Sequence, residues 1–205
     1  MTAHRVGIMG GTFDPVHEGH LIAARQVADT LNLELVLFSP VSSPWHKDAR
    51  ELAPAADRIA MLNLALEDVP DFSLVTVDVD RGGDTYTIDT LRDLAEGCAV
   101  EYPGHDFAWF FIAGADALSG LARWKEPEEL LQQAQFVAVT RPGFEFIRPD
   151  LVGADRILVL EIDAADISST RVRELAAAGA SLQGLVPELV EEYIYDQGLY
   201  SSPQS

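Results

Sequence analysis

Six apolar runs rich in β-branched and aromatic residues punctuate the chain: Arg5 to Met9, Leu35 to Phe38, Phe72 to Val77, Phe107 to Ala113, Phe136 to Thr140 and Ile157 to Ile162. They are continuous instead of alternating apolar with polar, the pattern of strands buried on both faces of a parallel sheet. Most are separated by stretches with helical periodicity, which predict helices over Gly19 to Leu31, Ala55 to Glu67, Thr87 to Glu96, Pro127 to Ala134, Ser169 to Ala178 and Pro187 to Gln197. Alternation of this kind implies right-handed βαβ units and an α/β, doubly wound, mostly parallel sheet flanked by helices, with a small helical part at the C-terminus. Ligands of such sheets bind beyond the carboxyl ends of the strands, where the strand order reverses.

Three connections read as loops: Ser39 to Pro54, Cys98 to Asp106 and the proline-interrupted Arg141 to Asp150. The first two look like loops with work to do, and Ser201 to Ser205 reads as a frayed polar tail. No stretch has the composition of a domain linker, and with 205 residues the expectation is one domain over 1–205. There is no internal repeat.

Composition narrows the partners. The 48% apolar and 23% charged content is ordinary for a soluble protein, and no run of about 18 apolar residues predicts a membrane span. The N-terminus enters a strand too soon for a secretory signal, so the cytoplasm is the expected location. Cys98 has no second cysteine to pair with, and a lone cysteine is more often structural than catalytic. A formal charge of −19 repels nucleic acid, while leaving room for a small anionic ligand in a locally positive pocket. A homo-oligomer is compatible with the sequence but not demanded by it.

Two segments carry the chemistry. Gly10-Gly11-Thr12-Phe13-Asp14-Pro15-Val16-His17-Glu18-Gly19-His20 follows the first apolar run and opens the first helix. Glycines after a strand let backbone approach a ligand, a helix N-terminus adds an anion site, and histidines three apart on a helix face one way. A zinc site is the rival for the two histidines, but structural zinc needs about four ligands and no cysteine pair is available. Taken singly, either histidine is explained as a satisfied core residue; the surrounding glycines favour phosphate. The second segment, Ile167-Ser168-Ser169-Thr170-Arg171-Val172-Arg173, follows the last apolar run and opens another helix. Capping alone accounts for its serines. Arg171 is harder to explain, because a cation in a first helical turn opposes the macrodipole unless an anion sits there; Arg173 reads equally as ligand or as solvated charge.

These two motifs, in this order, resemble the nucleotidylyltransferase superfamily with its paired histidines and distal serine-arginine motif. Within it the chain is similar to the bacterial nicotinate-nucleotide adenylyltransferases, through Thr85-Tyr86-Thr87-Ile88-Asp89-Thr90-Leu91, Gly114-Ala115-Asp116, Trp124 and the ending Tyr193-Ile194 with Gly198-Leu199-Tyr200. The resemblance spans residues 5 to 200 and implies a Rossmann-like fold. Its implied activity is transfer of AMP from ATP to nicotinate mononucleotide, giving nicotinate adenine dinucleotide and pyrophosphate in NAD biosynthesis. The phosphopantetheine adenylyltransferases usually carry threonine where His17 stands and lack the Thr-Tyr-Thr and Gly-x-Asp-plus-Trp features as placed here. A sensor of the same fold that binds nucleotide without chemistry, or an enzyme for nicotinamide mononucleotide, are the other readings.

The resemblance also implies roles. ATP would be held by Gly10, Gly11, Thr12, Phe13, His17, His20, Gly114, Asp116, Ile167, Ser168, Ser169, Thr170 and Arg171, with Mg²⁺ arriving on its phosphates and no protein metal ligand. His17, His20, Lys47 and Arg171 would be catalytic, and Lys47, Thr87 and Trp124 would meet the acceptor. With no cysteine, serine or lysine nucleophile in the segment Gly10 to His20, an acceptor phosphate oxygen would attack the α-phosphorus in line. Trp45 stands where the family commonly has a second proline. Asp116 alternatively caps a helix, Trp124 alternatively packs in the core, Asp14 is expected only to fix its turn with Pro15, and Arg58 is expected to pair with acids on its own helix.

Overall fold

The computed structural model describes residues 3–44, 52–163 and 167–201. Its elements run β1 (His4–Gly11), α1 (Glu18–Leu31), β2 (Leu35–Pro40), β3 (Ser43–Pro44), α2 (Ala55–Leu66), β4 (Phe72–Leu74), α3 (Val77–Arg81), β5 (Asp84–Thr85), α4 (Thr87–Glu101) and β6 (Phe107–Gly114). There follow α5 (Ala115–Ser119), α6 (Pro127–Gln133), β7 (Gln135–Thr140), β8 (Leu158–Glu161), α7 (Ser169–Ala177) and α8 (Glu188–Asp196). Six strands form one parallel sheet in the order β4-β2-β1-β6-β7-β8. Counting only those six, the order is 3-2-1-4-5-6, the doubly wound arrangement whose order reverses between β1 and β6. No helix among the described residues is long and apolar enough to cross a membrane.

The strands read as continuous apolar runs because both faces are covered. Val6, Ile8, Leu37 and Phe111 face one cluster with α4, α5 and α6; Met9, Val36, Phe38, Phe110 and Ile112 face the other with α1, α2, α7 and α8. Gly7 is small because a Cβ there would lie 2.9 Å from Leu33 and 3.1 Å from Ile112, so α1's trailing turn packs directly on the sheet. The C-terminal helices are thus part of this layer, not an appendage. α1 buries Ala23, Ala24, Val27 and Ala28 along one stripe and stops at Asn32, whose left-handed φ of 49° ends the helix.

Three expectations change. The strand predicted over Phe72 to Val77 ends at Leu74, and α3 begins at Val77 because the buried Asp78 carboxylate is drawn in by Ser39, Thr90 and Arg81. Cys98 to Glu101 continue α4, so the predicted loop is shorter, and it lies beside His4 at the amino ends of the strands, away from the reversal point. The short α5 and the β3·β5 pair had no apolar run long enough to announce them.

Candidate functional site

Two cavities open at the carboxyl ends of β1 and β6, on either side of a shared wall made by Gly10, Ala113, Asp116 and Ala117. The first, about 530 Å³, is lined by His17, Gly19, His20, Gly114, Thr140, Arg141, Phe144, Ile167, Ser168 and Ser169. The second, about 380 Å³, is lined by Gly11, Thr12, Asp78, Thr87, Thr90, Gly120, Arg123, Trp124 and Lys125. One strand end therefore serves two ligand-sized spaces.

The first cavity is built by the two sequence motifs closing on each other. Ser169 donates from its hydroxyl to the Pro15 carbonyl at 3.0 Å, and Arg173 donates to the Asp14 carbonyl at 2.7 Å. His17 and His20 stack with ring centroids 3.7 Å apart, and the His17 backbone N–H donates to His20 Nδ1 at 3.2 Å. A Cβ on Gly19 would stand 3.0 Å from His17 Nδ1, so glycine is what allows the imidazole to lie across it. Burial pushes the His17 imidazolium down to about 4, with Arg141's charge adding, and burial followed by His17's proximity holds His20 well below its ordinary value. Both rings are neutral donors at pH 7 in the free protein, and His17 Nδ1 is buried without a partner. A buried polar atom without a partner is unusual, and His17 is one of the residues lining the first cavity.

Phe13 is fully buried, packed edge-on to His20 at 5.1 Å and against Phe38, and has φ 47°. It supports His20 from behind, and its side chain lines neither cavity, although the resemblance placed it against ATP. A non-glycine residue at such φ is strained, and the packing of the buried ring on His20 and Phe38 is what holds it there. Thr12 lines the second cavity and not the first. Thr170 accepts from Arg173 at 3.4 Å instead of facing the space. Arg171 also departs from expectation: its side chain is 60% exposed, lies 3.7 Å from Glu174 and is absent from the lining of either cavity, while its backbone N–H caps α7 through Ser168. Glu174 on the next turn offsets the unfavourable placement, so no bound anion is needed to explain it. Lys47 and Trp45 lie outside the described residues.

Behind the site, Arg58 is completely buried without a carboxylate of its own helix. It donates to the carbonyls of Thr12 at 2.8 Å, Val41 at 2.9 Å, Ala53 at 3.1 Å and Ser42 at 3.3 Å. One guanidinium thus fastens the glycine loop to both ends of the segment that carries Lys47. Asp14 is a second hub: its carboxylate accepts from Tyr200 at 2.7 Å and from the Ala53 N–H at 3.2 Å, so it does more than fix the turn with Pro15. Neither role is legible from the sequence, because the partners are backbone groups and residues up to 186 positions away.

The second cavity is walled by side chains that satisfy one another. Asp78 is buried and bonded to Ser39, Thr90 and Arg81. Lys125 pairs with Asp89 at 2.9 Å and lies over the Tyr86 ring, tying the start of α4 to the turn carrying Trp124. Trp124 packs edge-on against Phe111 and Phe136 and also lines the cavity, so one ring belongs to the core and to the cavity wall. Thr87 opens α4, whose preceding Tyr86 gives no side-chain cap. Asp116 is the second residue of α5 and does not cap it; a Cβ on Gly114 would lie 2.5 Å from its carboxylate, so glycine lets that carboxylate fold back over the shared wall.

The model of the cytidylyltransferase-like family matches residues 8–175. A protein from Acidothermus cellulolyticus named "Probable nicotinate-nucleotide adenylyltransferase" is 49% identical over 197 residues, covering 96% of this chain and 94% of that one. One of the same name from Corynebacterium kroppenstedtii is 47% identical over 96% and 90%. Among solved structures, the Plasmodium falciparum nicotinic acid mononucleotide adenylyltransferase complexed with APC superposes with a TM-score of 0.75 at 18% identity, covering 96% and 97% of the two chains. The same enzyme complexed with NaAD gives 0.73.

Proposed function

The chain belongs to the nicotinate-nucleotide adenylyltransferases of the cytidylyltransferase-like family, and from that premise we propose how its two cavities divide the work. The enzyme transfers AMP from ATP to nicotinate mononucleotide, releasing pyrophosphate and nicotinate adenine dinucleotide for NAD biosynthesis. The observation that carries the division is the wall at Gly10 and Asp116, shared by a histidine-lined space and a tryptophan-lined one.

ATP occupies the first cavity. Its α-phosphate lies over Gly10, close to the His17 and His20 N–H groups and the α7 N-terminus at Ser168 and Ser169, which together supply donors where charge develops. Gly114 and Ile167 line the same space, and Asp116 meets a ribose hydroxyl. Nicotinate mononucleotide occupies the second cavity, its ring against Trp124 and its carboxylate toward Thr87 and the uncapped start of α4. Its phosphate then reaches across the shared wall, and an oxygen attacks the α-phosphorus opposite the departing pyrophosphate. Among the described residues the shared wall carries no serine, cysteine or lysine, and in this reading the substrates react with each other.

Mg²⁺ enters as part of the nucleotide substrate. Among the described residues no three His, Cys, Asp or Glu side chains converge on one point, which suits an ion held by phosphate oxygens and water. Lys47 and Arg171 belong to the phosphate end in this reading; Arg171's exposed side chain has to leave Glu174 to reach it. Purified protein with ATP, Mg²⁺ and each of nicotinate mononucleotide, nicotinamide mononucleotide and phosphopantetheine is expected to release pyrophosphate fastest with the first. Nucleotide binding without pyrophosphate release from any acceptor would reduce the protein to a sensor.

A further inference from the structure

Arg123 is the feature that the reaction, as described so far, leaves unused. It closes the 3-10 turn Leu121–Arg123 directly before Trp124 and lines the second cavity but not the first. Its backbone N–H donates to the Gly120 carbonyl at 2.9 Å, but its guanidinium makes no hydrogen bond or ion pair with any described residue. Its neighbours differ: Arg81 is held by Asp78 and Asp93, Arg92 by Glu126 and Glu129, and Lys125 by Asp89. Arg58, Arg148 and Arg156 also lack a carboxylate but donate to backbone carbonyls, which the Arg123 guanidinium does not. Room for it is built in, since a Cβ on Gly120 would stand 2.8 Å from Arg123 Nη2.

We infer that Arg123 is a specificity-determining residue that pairs with the ring carboxylate of the acceptor and so separates the acid from its neutral amide. The inference rests on the placement of the acceptor in the second cavity. The acceptor has two anionic groups. Its phosphate must meet the α-phosphorus at the shared wall of Gly10, Ala113, Asp116 and Ala117, whereas Arg123 belongs to the part of the lining that the first cavity does not share. What lies beside Trp124 is then the ring end, and on a pyridine-3-carboxylate that end is negative. A guanidinium matches a carboxylate with paired N–H donors and gains nothing comparable from a carboxamide, whose N–H₂ it faces donor to donor. Discrimination of this kind is large where the competing ligand leaves a site's charged group unpaired.

The test is the ratio of kcat/KM for nicotinate over nicotinamide mononucleotide in the whole protein, for wild type, Arg123→Gln and Arg123→Lys, with thermal midpoints to establish folding. Arg123→Gln is expected to lower the ratio at least tenfold through a raised KM for nicotinate mononucleotide, and Arg123→Lys to retain a ratio above that of glutamine. An unchanged ratio, an equal loss with both acceptors, or identical ratios in the two variants would each overturn the assignment. These outcomes are separate from failure of the underlying function, which would show as absence of product from nicotinate mononucleotide in the wild type.

Discussion

The two cavities sit on one strand end and are made in opposite ways. The first presents glycines, backbone donors and two neutral imidazoles, with a buried His17 nitrogen left without a partner. The second is surrounded by carboxylates and cations that have mostly neutralised one another, through Asp78, Arg81, Lys125 and Asp89. A site that must stabilise charge appearing during reaction benefits from donors held ready and unused; a site that must recognise a ground-state molecule benefits from rigid walls. On the proposed reading, the difference assigns the reaction to the first half and acceptor choice to the second.

That contrast depends on the glycine loop keeping its place, and Arg58 fastens that loop through Thr12 to Val41, Ser42 and Ala53. Arg58→Met leaves the carbonyls of Thr12, Val41, Ser42 and Ala53 buried without their donor. Unfolding in denaturant is expected to show a loss of roughly 3 to 4 kcal/mol, and turnover is expected to fall with every acceptor alike. A stability within about 0.5 kcal/mol of wild type would mean that these bonds are replaceable by water.

His20→Ala addresses the first half alone. Removal of one preorganised donor lowers kcat by on the order of a hundredfold or more, by the same factor for nicotinate and nicotinamide mononucleotides. Steady-state kinetics with both acceptors check this, and a loss confined to one of them would blur the division.

Acid is a gentler probe of the same imidazoles. His17 protonates near 6.5 in the unfolded chain and near 4 when folded, so the unfolded state binds its proton first and stability falls as pH drops from about 6.5 toward 4. The single group accounts for about 2 kcal/mol between pH 7 and pH 5. Denaturant midpoints should therefore fall more steeply over that range in wild type than in His17→Gln; parallel curves would show that His17 is not held neutral.

The smallest effect belongs to the second half. Trp124→Ala is expected to raise KM for nicotinate mononucleotide about tenfold while KM for ATP moves little, as suits loss of one ring face in a preformed cavity. Its contacts with Phe111 and Phe136 predict a concurrent drop in thermal midpoint.

The sheet and most helices were legible because continuous apolar runs and 3.6-residue periodicity record burial directly. Much of the first cavity's lining was legible too, since it comes from Gly10 to His20 and Ile167 to Ser169, whereas Thr140, Arg141 and Phe144 were not. Arg171 and Phe13 show the limit: a motif identifies a segment, but which side chains turn inward depends on packing, here Arg171 lying exposed beside Glu174 and Phe13 buried against Phe38. Arg58, Asp14, α3 and Arg123 could not be read in advance. Their roles come from carbonyls, a buried carboxylate and a cavity wall assembled from positions far apart in the chain.

The claim at the centre is that two substrates meet across the Gly10 wall and react without a covalent enzyme intermediate. The stereochemical course at the α-phosphorus tests it most directly, using ATP made chiral there by sulfur. A single in-line displacement predicts inversion of configuration in the dinucleotide product; retention would mean two displacements through an enzyme-bound adenylate, and would contradict the account.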